Sequence, residues 1–195
     1  MIVRLATDAD ARQIPITLAR AFSDYAFTNW TVAADDHHHR LVELYTLFVA
    51  EFGRSVDGVW VTDDCAAVAS WLPPGVDGPD EAFMERNGPR MVELFGDRAK
   101  HAAAADAITE PRRPSEPHWY LASMGTHPDW QSRGLGARVL TPVLERCDAE
   151  GIPAYTDTAT ERNVKFYRAQ GFEVIDEADV PEGGPHVWFL RRTPR

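Results

Sequence analysis

The chain has 195 residues, of which 44% are hydrophobic, and carries 30 acidic side chains against 20 basic ones. This length suits one domain, 1–195, with a sizeable core. The formal net charge of -10 opposes binding to nucleic acid and to anionic membrane surfaces, and it favours cationic partners.

The two cysteines, Cys65 and Cys147, are too few for a disulfide framework or a cysteine-based metal cluster, and we predict that both are core residues without a metal. The first residues, 1–5, lack the apolar stretch of a signal peptide, and no segment is apolar enough to span a bilayer. We therefore expect a cytoplasmic protein.

The chain is predicted to begin with a strand over 2–6 and a helix that runs toward Phe22. Thr7 or Asp8 supplies a side-chain oxygen suited to capping the helix, and Pro15 is predicted to kink or split it because proline lacks the N–H of a helix interior.

The next part of the chain is predicted to hold a helix over 35–54, because its apolar residues recur at every third or fourth position. Two apolar runs, 58–62 and 65–72, read as a hairpin. Helical sequence follows over 79–107 and is predicted to be interrupted at 87–89, where Asn-Gly-Pro stands.

The remaining predicted elements are a strand over 119–124, a long helix over 134–150, a strand over 153–158, a short helix over 163–170, and a hairpin of 172–175 with 186–190. No internal repeat or linker is visible. This order predicts an α+β fold, with three layers, in which helices flank a mixed central sheet.

The segment 131–137, Gln-Ser-Arg-Gly-Leu-Gly-Ala, lies between the strand 119–124 and the long helix. Free N–H groups and the positive end of a helix dipole at one point favour a phosphate-bearing ligand. Gly134 can adopt a positive φ, and both Gly134 and Gly136 leave room for phosphates. A P-loop is excluded because Ala137 follows the last glycine, and a dinucleotide fingerprint fails because its third glycine is replaced by Val139.

Together with 118–128 before it and 163–167 after it, this segment resembles the acetyl-CoA signature of the GNAT N-acetyltransferase superfamily, Gln/Arg-x-x-Gly-x-Gly/Ala. The resemblance implies a mixed, mostly antiparallel sheet flanked by helices and acetyl-CoA as cosubstrate. The cofactor-binding residues that it implies are Met124, Gly125, Thr126, Gln131, Ser132, Arg133, Gly134, Leu135, Gly136, Ala137 and Asn163.

Acetyl transfer to an amine needs a base for the amine and an acid for the departing thiolate. Tyr167 suits the acid, since a phenol is protonated at neutral pH, and it stands four residues from Asn163 on one helix face. The resemblance assigns the same role to Tyr167. The base stays open: Asp157 ends a predicted strand near the thioester path, while His118, Glu116 and a water chain are weaker alternatives.

Over nearly its whole length the chain is also similar to the puromycin N-acetyltransferases of actinobacteria, for example at 19–25, 128–131 and 180–183. It departs from them at 27–31, 70–76 and 115–119, where an acceptor pocket would be lined. The resemblance thus implies acetyl-CoA binding more firmly than it implies puromycin as acceptor.

We therefore predict an enzyme that acetylates a primary amine of a small molecule, such as an amine antibiotic, with Tyr25 and Trp30 in the acceptor pocket. The alternatives are acetylation of a protein N-terminus or lysine, and a non-catalytic acyl-CoA sensor. A monomer or a homodimer is expected, the latter paired through the apolar run 187–190.

Overall fold

The computed structural model describes residues 2–195, and its centre is a seven-stranded sheet in the order β1-β2-β3-β4-β5-β7-β6. The strands are β1 Val3–Leu5, β2 Val59–Thr62, β3 Ala67–Leu72, β4 Trp119–Thr126, β5 Ala154–Thr158, β6 Glu173–Asp179 and β7 His186–Arg192. Only β4 and β5 pair in parallel. The predicted fold class, a mixed and mostly antiparallel sheet flanked by helices, is confirmed.

Helices cover both faces of this sheet. They are α1 Gln13–Ala21, α2 Ala26–Thr31, α3 His37–Tyr45, α4 Glu81–Phe95, α5 Ala99–Thr109, α6 Leu135–Glu150 and α7 Glu161–Ala169, with a π-helix at Thr46–Gly53. Trp119 and Leu121 of β4 pack with α6, whereas Tyr120 between them packs with the π-helix and α4 on the opposite face. This alternation follows from the two-residue period of a strand.

The predicted first helix is divided into two elements, but the break precedes Pro15, so the prediction that Pro15 splits the helix is wrong. A short 3-10 turn covers Asp8–Asp10, and Pro15 is the third residue of α1, where its missing N–H costs little. The helix predicted over 35–54 is present as α3 and the π-helix that continues it. The short helix α2 was not predicted.

The predicted interruption at 87–89 is wrong, because α4 runs through Asn-Gly-Pro without a break. Phe83, Met91 and Leu94 are buried on one face of α4, and this packing outweighs the local preference for a turn. The helical stretch is interrupted instead at Gly96, whose φ of +60 is a left-handed value that favours glycine.

The apolar run 187–190 lies inside the sheet. It belongs to β7, which pairs with β5 on one side and β6 on the other, so the run has no free edge for a second copy of the chain. A homodimer paired through this run would need those pairs to open. None of the helices among residues 2–195 is both long and apolar enough to cross a membrane.

Candidate active site

The site begins where β4 and β5 stop pairing. Trp119, Tyr120 and Leu121 pair with 154–156, and β4 then continues to Thr126 without a partner on that side. The register against β3 shifts at the same point and leaves Ala122 as an extra residue. Such a bulge bends a strand. It therefore opens a gap in which the backbone of 122–126 is available to a ligand.

The loop 131–137 lies beyond the end of β4, at the start of α6. The N–H groups of 132–137 donate to no backbone carbonyl among residues 2–195, whereas that of Arg138 makes the first helical bond, to the Gly134 carbonyl at 3.1 Å. Ser132 and Gly134 have positive φ values of 60 and 75. Left-handed residues in such a turn direct several N–H groups into one concavity, which suits an anion.

The two loop glycines meet different surroundings. Gly134 needs its positive φ, and a side chain on it would enter open space. A Cβ on Gly136 would lie 3.5 Å from the Met124 sulfur and the Phe166 ring, which is ordinary contact. The protein therefore has room for an alanine at 136, and a bound phosphate would supply the reason for glycine there.

Gly125 has a packing role instead. A Cβ on this residue would approach the Ala21 Cβ to 2.8 Å and the Leu18 side chain to 3.0 Å. Gly125 therefore lets α1 lie directly on β4. The predicted cofactor residues Met124 and Thr126 flank it, and Met124 reaches the gap between the strands.

A cavity of about 230 Å³ fills the space between this gap and helices α1 to α3. Its aromatic walls are Phe22, Tyr25, Phe27, Tyr45, Phe48 and Phe95. Its polar groups include Ser123, Thr156, Asp157, Thr158, Asn163 and Tyr167. The fold thus brings the predicted acid, the predicted base and the predicted Asn163 to one cavity, and Asp157 is its one charged lining residue within 2–195.

Asp157 is half-buried at the end of β5, and the Tyr120 hydroxyl donates a hydrogen bond to its Oδ1. The Arg113 guanidinium lies 4.3 Å from the centre of the Tyr120 ring. Burial raises the pKa of the Asp157 carboxyl, and the Tyr120 hydrogen bond and the Arg113 charge oppose that rise. A carboxylate with a raised pKa is a stronger base toward an amine.

Asn163 and Tyr167 lie on the same face of α7, as predicted. Thr160 caps the helix by accepting a hydrogen bond from the Asn163 N–H at 3.3 Å, and the Asn163 side chain donates to the Thr158 hydroxyl at 3.0 Å. Tyr167 is buried, and its hydroxyl lies beside the Thr156 side chain. Burial raises the pKa of Tyr167, so the phenol keeps its proton at neutral pH.

The two predicted acceptor residues lie in different places. Tyr25 lines the cavity, where its hydroxyl accepts a hydrogen bond from the Ala159 N–H at 2.7 Å and lies 3.0 Å from the Thr158 hydroxyl. Trp30 does not line the cavity: its ring stacks on His101, with ring centres 4.3 Å apart. Its role in acceptor binding stays a prediction.

The weaker base candidates do not line the cavity either. Glu116 accepts hydrogen bonds from Tyr155 and Arg191, and the His118 ring lies 5.0 Å from that of Tyr155. The sequence analysis did not name Tyr120 as a site residue. The two-residue period of the strands, together with their pairing, places it on the same face as Asp157. Since Tyr120 pairs with Tyr155, Asp157 two residues on shares its face. Within the described chain no cluster of His, Cys, Asp or Glu could hold a metal ion.

Comparison with known proteins agrees with this geometry. The model of the acetyltransferase (GNAT) family matches residues 97–172, which contain β4, the loop 131–137, α6, β5 and α7. Helices α1 to α3 lie outside the match.

Two curated proteins are similar over parts of the chain. An uncharacterized N-acetyltransferase of Schizosaccharomyces pombe is 26% identical over 121 residues, which are 56% of this chain and 48% of that protein. A probable serine/threonine-protein kinase of Dictyostelium discoideum is 30% identical over 80 residues, or 40% of this chain and 11% of that protein. The chain therefore spans about half of one relative and about a tenth of the other.

Solved structures show the same fold over nearly the whole chain. A histone acetyltransferase HPA2 and related acetyltransferase from Corynebacterium glutamicum has a TM-score of 0.75 at 23% identity, covering 99% of this chain and 96% of that one. Arylalkylamine N-acetyltransferase 2 from Aedes aegypti has a TM-score of 0.66 at 10% identity, covering 100% and 99%. The acetyltransferase family model thus matches the segment that forms the site, and these structures share the fold of the chain.

Proposed function

We propose that the protein transfers the acetyl group of acetyl-CoA to the primary amine of a small molecule with an apolar or aromatic body. One observation carries this proposal: a single cavity, at the point where β4 and β5 separate, joins Asp157 and Tyr167 to a wall of aromatic side chains.

The residues present fit acetyl-CoA. The unpaired N–H groups of 132–137 suit its pyrophosphate, and the open edge of β4 at 122–126 suits the amides of its pantetheine arm. Asn163 lines the same cavity as 122–124, and its side-chain oxygen can accept a hydrogen bond from the same arm. When bound, acetyl-CoA supplies an activated acyl group, and the protein has to orient it and move two protons.

The two titratable side chains provide those proton transfers. Asp157 accepts a proton from the ammonium form of the acceptor, so that the amine lone pair is free to form the new N–C bond. Tyr167 donates its proton to the sulfur as the C–S bond breaks, and the second proton that the nitrogen loses on forming the amide restores the Tyr167 phenol. The raised pKa values of Asp157 and Tyr167 suit both roles, because one group becomes a better base and the other stays protonated.

The cavity favours a compact monoamine. Its volume, about 230 Å³, lies below the range of about 300–1,000 Å³ usual for ligand pockets, and aromatic rings form much of its wall. A polyamine would leave its second cation among apolar side chains, which is costly. The arylalkylamine acceptor class of the Aedes structure agrees with this interpretation. Puromycin is larger than such amines and tests how far the cavity opens.

The test measures thiol release from acetyl-CoA with a panel of amines: 2-phenylethylamine, puromycin, spermidine, an aminoglycoside and a lysine peptide. We expect the aromatic monoamine to have the highest kcat/KM, at least tenfold above the peptide and spermidine. The variant Asp157→Asn serves as the catalytic control, and it should lose activity toward every acceptor alike.

Two results would contradict the proposal. A lysine peptide that led the series by tenfold or more would replace it with protein acetylation. Tight acetyl-CoA binding without turnover of any amine would favour the sensor alternative.

A further inference from the structure

The aromatic wall of the cavity contains one polar group without a partner. Tyr45 is the last residue of α3, and its ring lies 5.5 Å from that of Phe22. The ring packs among apolar residues of α1 and α3, including Leu18 and Leu41. Its hydroxyl makes no hydrogen bond to any of residues 2–195, although it belongs to a residue that lines the cavity.

Tyr45 is half-buried and the protein does not enclose its hydroxyl on every side, so the hydroxyl stays open to a ligand in the cavity. The hydroxyls of Tyr25 and Tyr155, by contrast, each have partners at ordinary distance or closer. The Tyr45 hydroxyl is therefore left for something that enters the cavity.

Tyr45 also lies away from the reacting groups. The Tyr45 ring lies 5.5 Å from that of Phe22, and the Phe22 ring lies 5.2 Å from that of Tyr25. The Tyr25 hydroxyl is in turn 3.0 Å from that of Thr158, the residue after Asp157. An acceptor whose amine meets Asp157 would thus place the other end of its body near Tyr45.

We propose that Tyr45 is a specificity residue that hydrogen-bonds a polar substituent on the distal end of the acceptor's aromatic body. This inference rests on the proposed function and narrows its substrate class to aromatic monoamines with a hydroxyl or carbonyl far from the amine. A pocket built to bond such a group discriminates against the analogue that lacks it, because the buried partner is then unpaired.

The experiment compares two acceptors that differ by one oxygen, 2-phenylethylamine and its para-hydroxyl analogue tyramine. In the unmodified enzyme kcat/KM should favour tyramine by about tenfold, the effect of one hydrogen bond of ordinary strength. In Tyr45→Phe this ratio should fall to within about twofold of unity. Tyr155→Phe, which removes a phenolic hydroxyl outside the cavity, should retain the ratio of the unmodified enzyme.

Two further measurements keep the inference separable from the proposed function. Stabilisation of the CoA-bound protein by each amine, read as a shift in Tm, reports binding even if no amine is acetylated, and only tyramine should lose its shift in Tyr45→Phe. Without ligand, Tyr45→Phe should melt at the same temperature as the unmodified protein or higher.

Equal kcat/KM values for the two amines in the unmodified enzyme, together with equal Tm shifts, would overturn the inference. A ratio that survives in Tyr45→Phe would also overturn it. A drop of several degrees in the Tm of the unliganded variant would show that the hydroxyl has a partner within the protein. Failure of all amines to react, with a tyramine-specific Tm shift that depends on Tyr45, would instead count against the proposed function alone.

Discussion

The region proposed to bind acetyl-CoA is formed by backbone groups, whereas the region proposed to bind the acceptor is formed by side chains. The cofactor region, 119–170, presents backbone N–H groups and an unpaired strand edge. The acceptor region, 13–53, presents side chains of α1 to α3 and the π-helix. A backbone site needs only glycines, a strand end and a helix start, so many sequences can carry it. A side-chain site changes its specificity with each substitution. The family model accordingly matches 97–172 and leaves the acceptor region, 13–53, outside the match.

The largest expected effect comes from the side chain that links the two regions. Asp157→Asn should lower kcat/KM for the preferred amine by about 10³-fold, within the range of general-base contributions, with little change in acetyl-CoA affinity. The pKa of Asp157 is raised by burial, so kcat/KM of the unmodified enzyme should increase with pH through a group above the usual aspartate value of about 3.9. A variant with unchanged kcat/KM would favour a water chain as base.

The pKa of the proposed base, Asp157, should change when Tyr120 is replaced. Its hydrogen bond to Asp157 opposes the rise of the carboxyl pKa, so Tyr120→Phe should move the acidic limb of the pH profile to higher pH. A merely structural effect would lower activity at all pH values without moving that limb. The pH dependence of kcat/KM, measured at saturating acetyl-CoA, distinguishes the two.

Replacement of the proposed acid, Tyr167, should have the next largest effect on kcat. Tyr167→Phe should lower kcat by about 10²-fold with little change in the KM for acetyl-CoA, because the proton is needed only as the thiolate departs. Single-turnover kinetics would establish that chemistry limits the rate. Full turnover by this variant at neutral pH would remove Tyr167 from the mechanism.

Substitution of Gly136 should change acetyl-CoA affinity without lowering the stability of the protein. Gly136→Ala should weaken acetyl-CoA binding by about tenfold, while the free energy of unfolding stays equal or rises by up to about 1 kcal/mol, since alanine favours helices. Gly88→Ala is the matched control: Gly88 lies in α4 with open space around it, so affinity should not change. Calorimetric titration measures both, and equal acetyl-CoA affinities for both variants would contradict the phosphate assignment.

The smallest effect on catalysis is expected for a substitution of Asp10, which should mainly change the stability of the fold. Asp10 is buried and accepts hydrogen bonds from the Arg4 guanidinium at 2.7 and 2.9 Å, which lowers the pKa of its carboxyl. Asp10→Asn should lower the free energy of unfolding by about 3 kcal/mol and leave kcat nearly unchanged.

The stability contributed by Asp10 also depends on pH with a defined sign. Because the folded-state pKa is depressed, the contribution is fully present above the unfolded value of about 3.9 and declines as pH falls from there toward the folded-state value. Urea unfolding should therefore show a smaller difference between Asp10→Asn and the unmodified protein at pH 3 than at pH 7. An equal difference at both pH values would assign the effect to packing.

The sequence signals for the proposed cofactor region are local. The glycines of 131–137, the strand before them and the i, i+4 spacing of Asn163 and Tyr167 all stand within short stretches. The predicted base Asp157 also reaches the cavity.

Other parts of the site depend on contacts distant in sequence, which single-sequence reasoning cannot supply. Trp30 packs on His101, 71 positions away, rather than in the cavity, and Tyr120 bonds a carboxylate 37 positions away. The wrong break at 87–89 has the same origin, since tertiary burial of one face of α4 overrides a local turn signal.

The most direct test is a crystal structure with a bisubstrate analogue in which CoA is joined through an acetyl bridge to tyramine. We expect the pyrophosphate at the N–H groups of 132–137, the pantetheine arm along 122–126, and the acetyl bridge between Asp157 and Tyr167. The ring should fill the cavity beside Tyr25, with its hydroxyl at Tyr45. A ring bound outside this cavity, or a bridge remote from Asp157, would contradict the account.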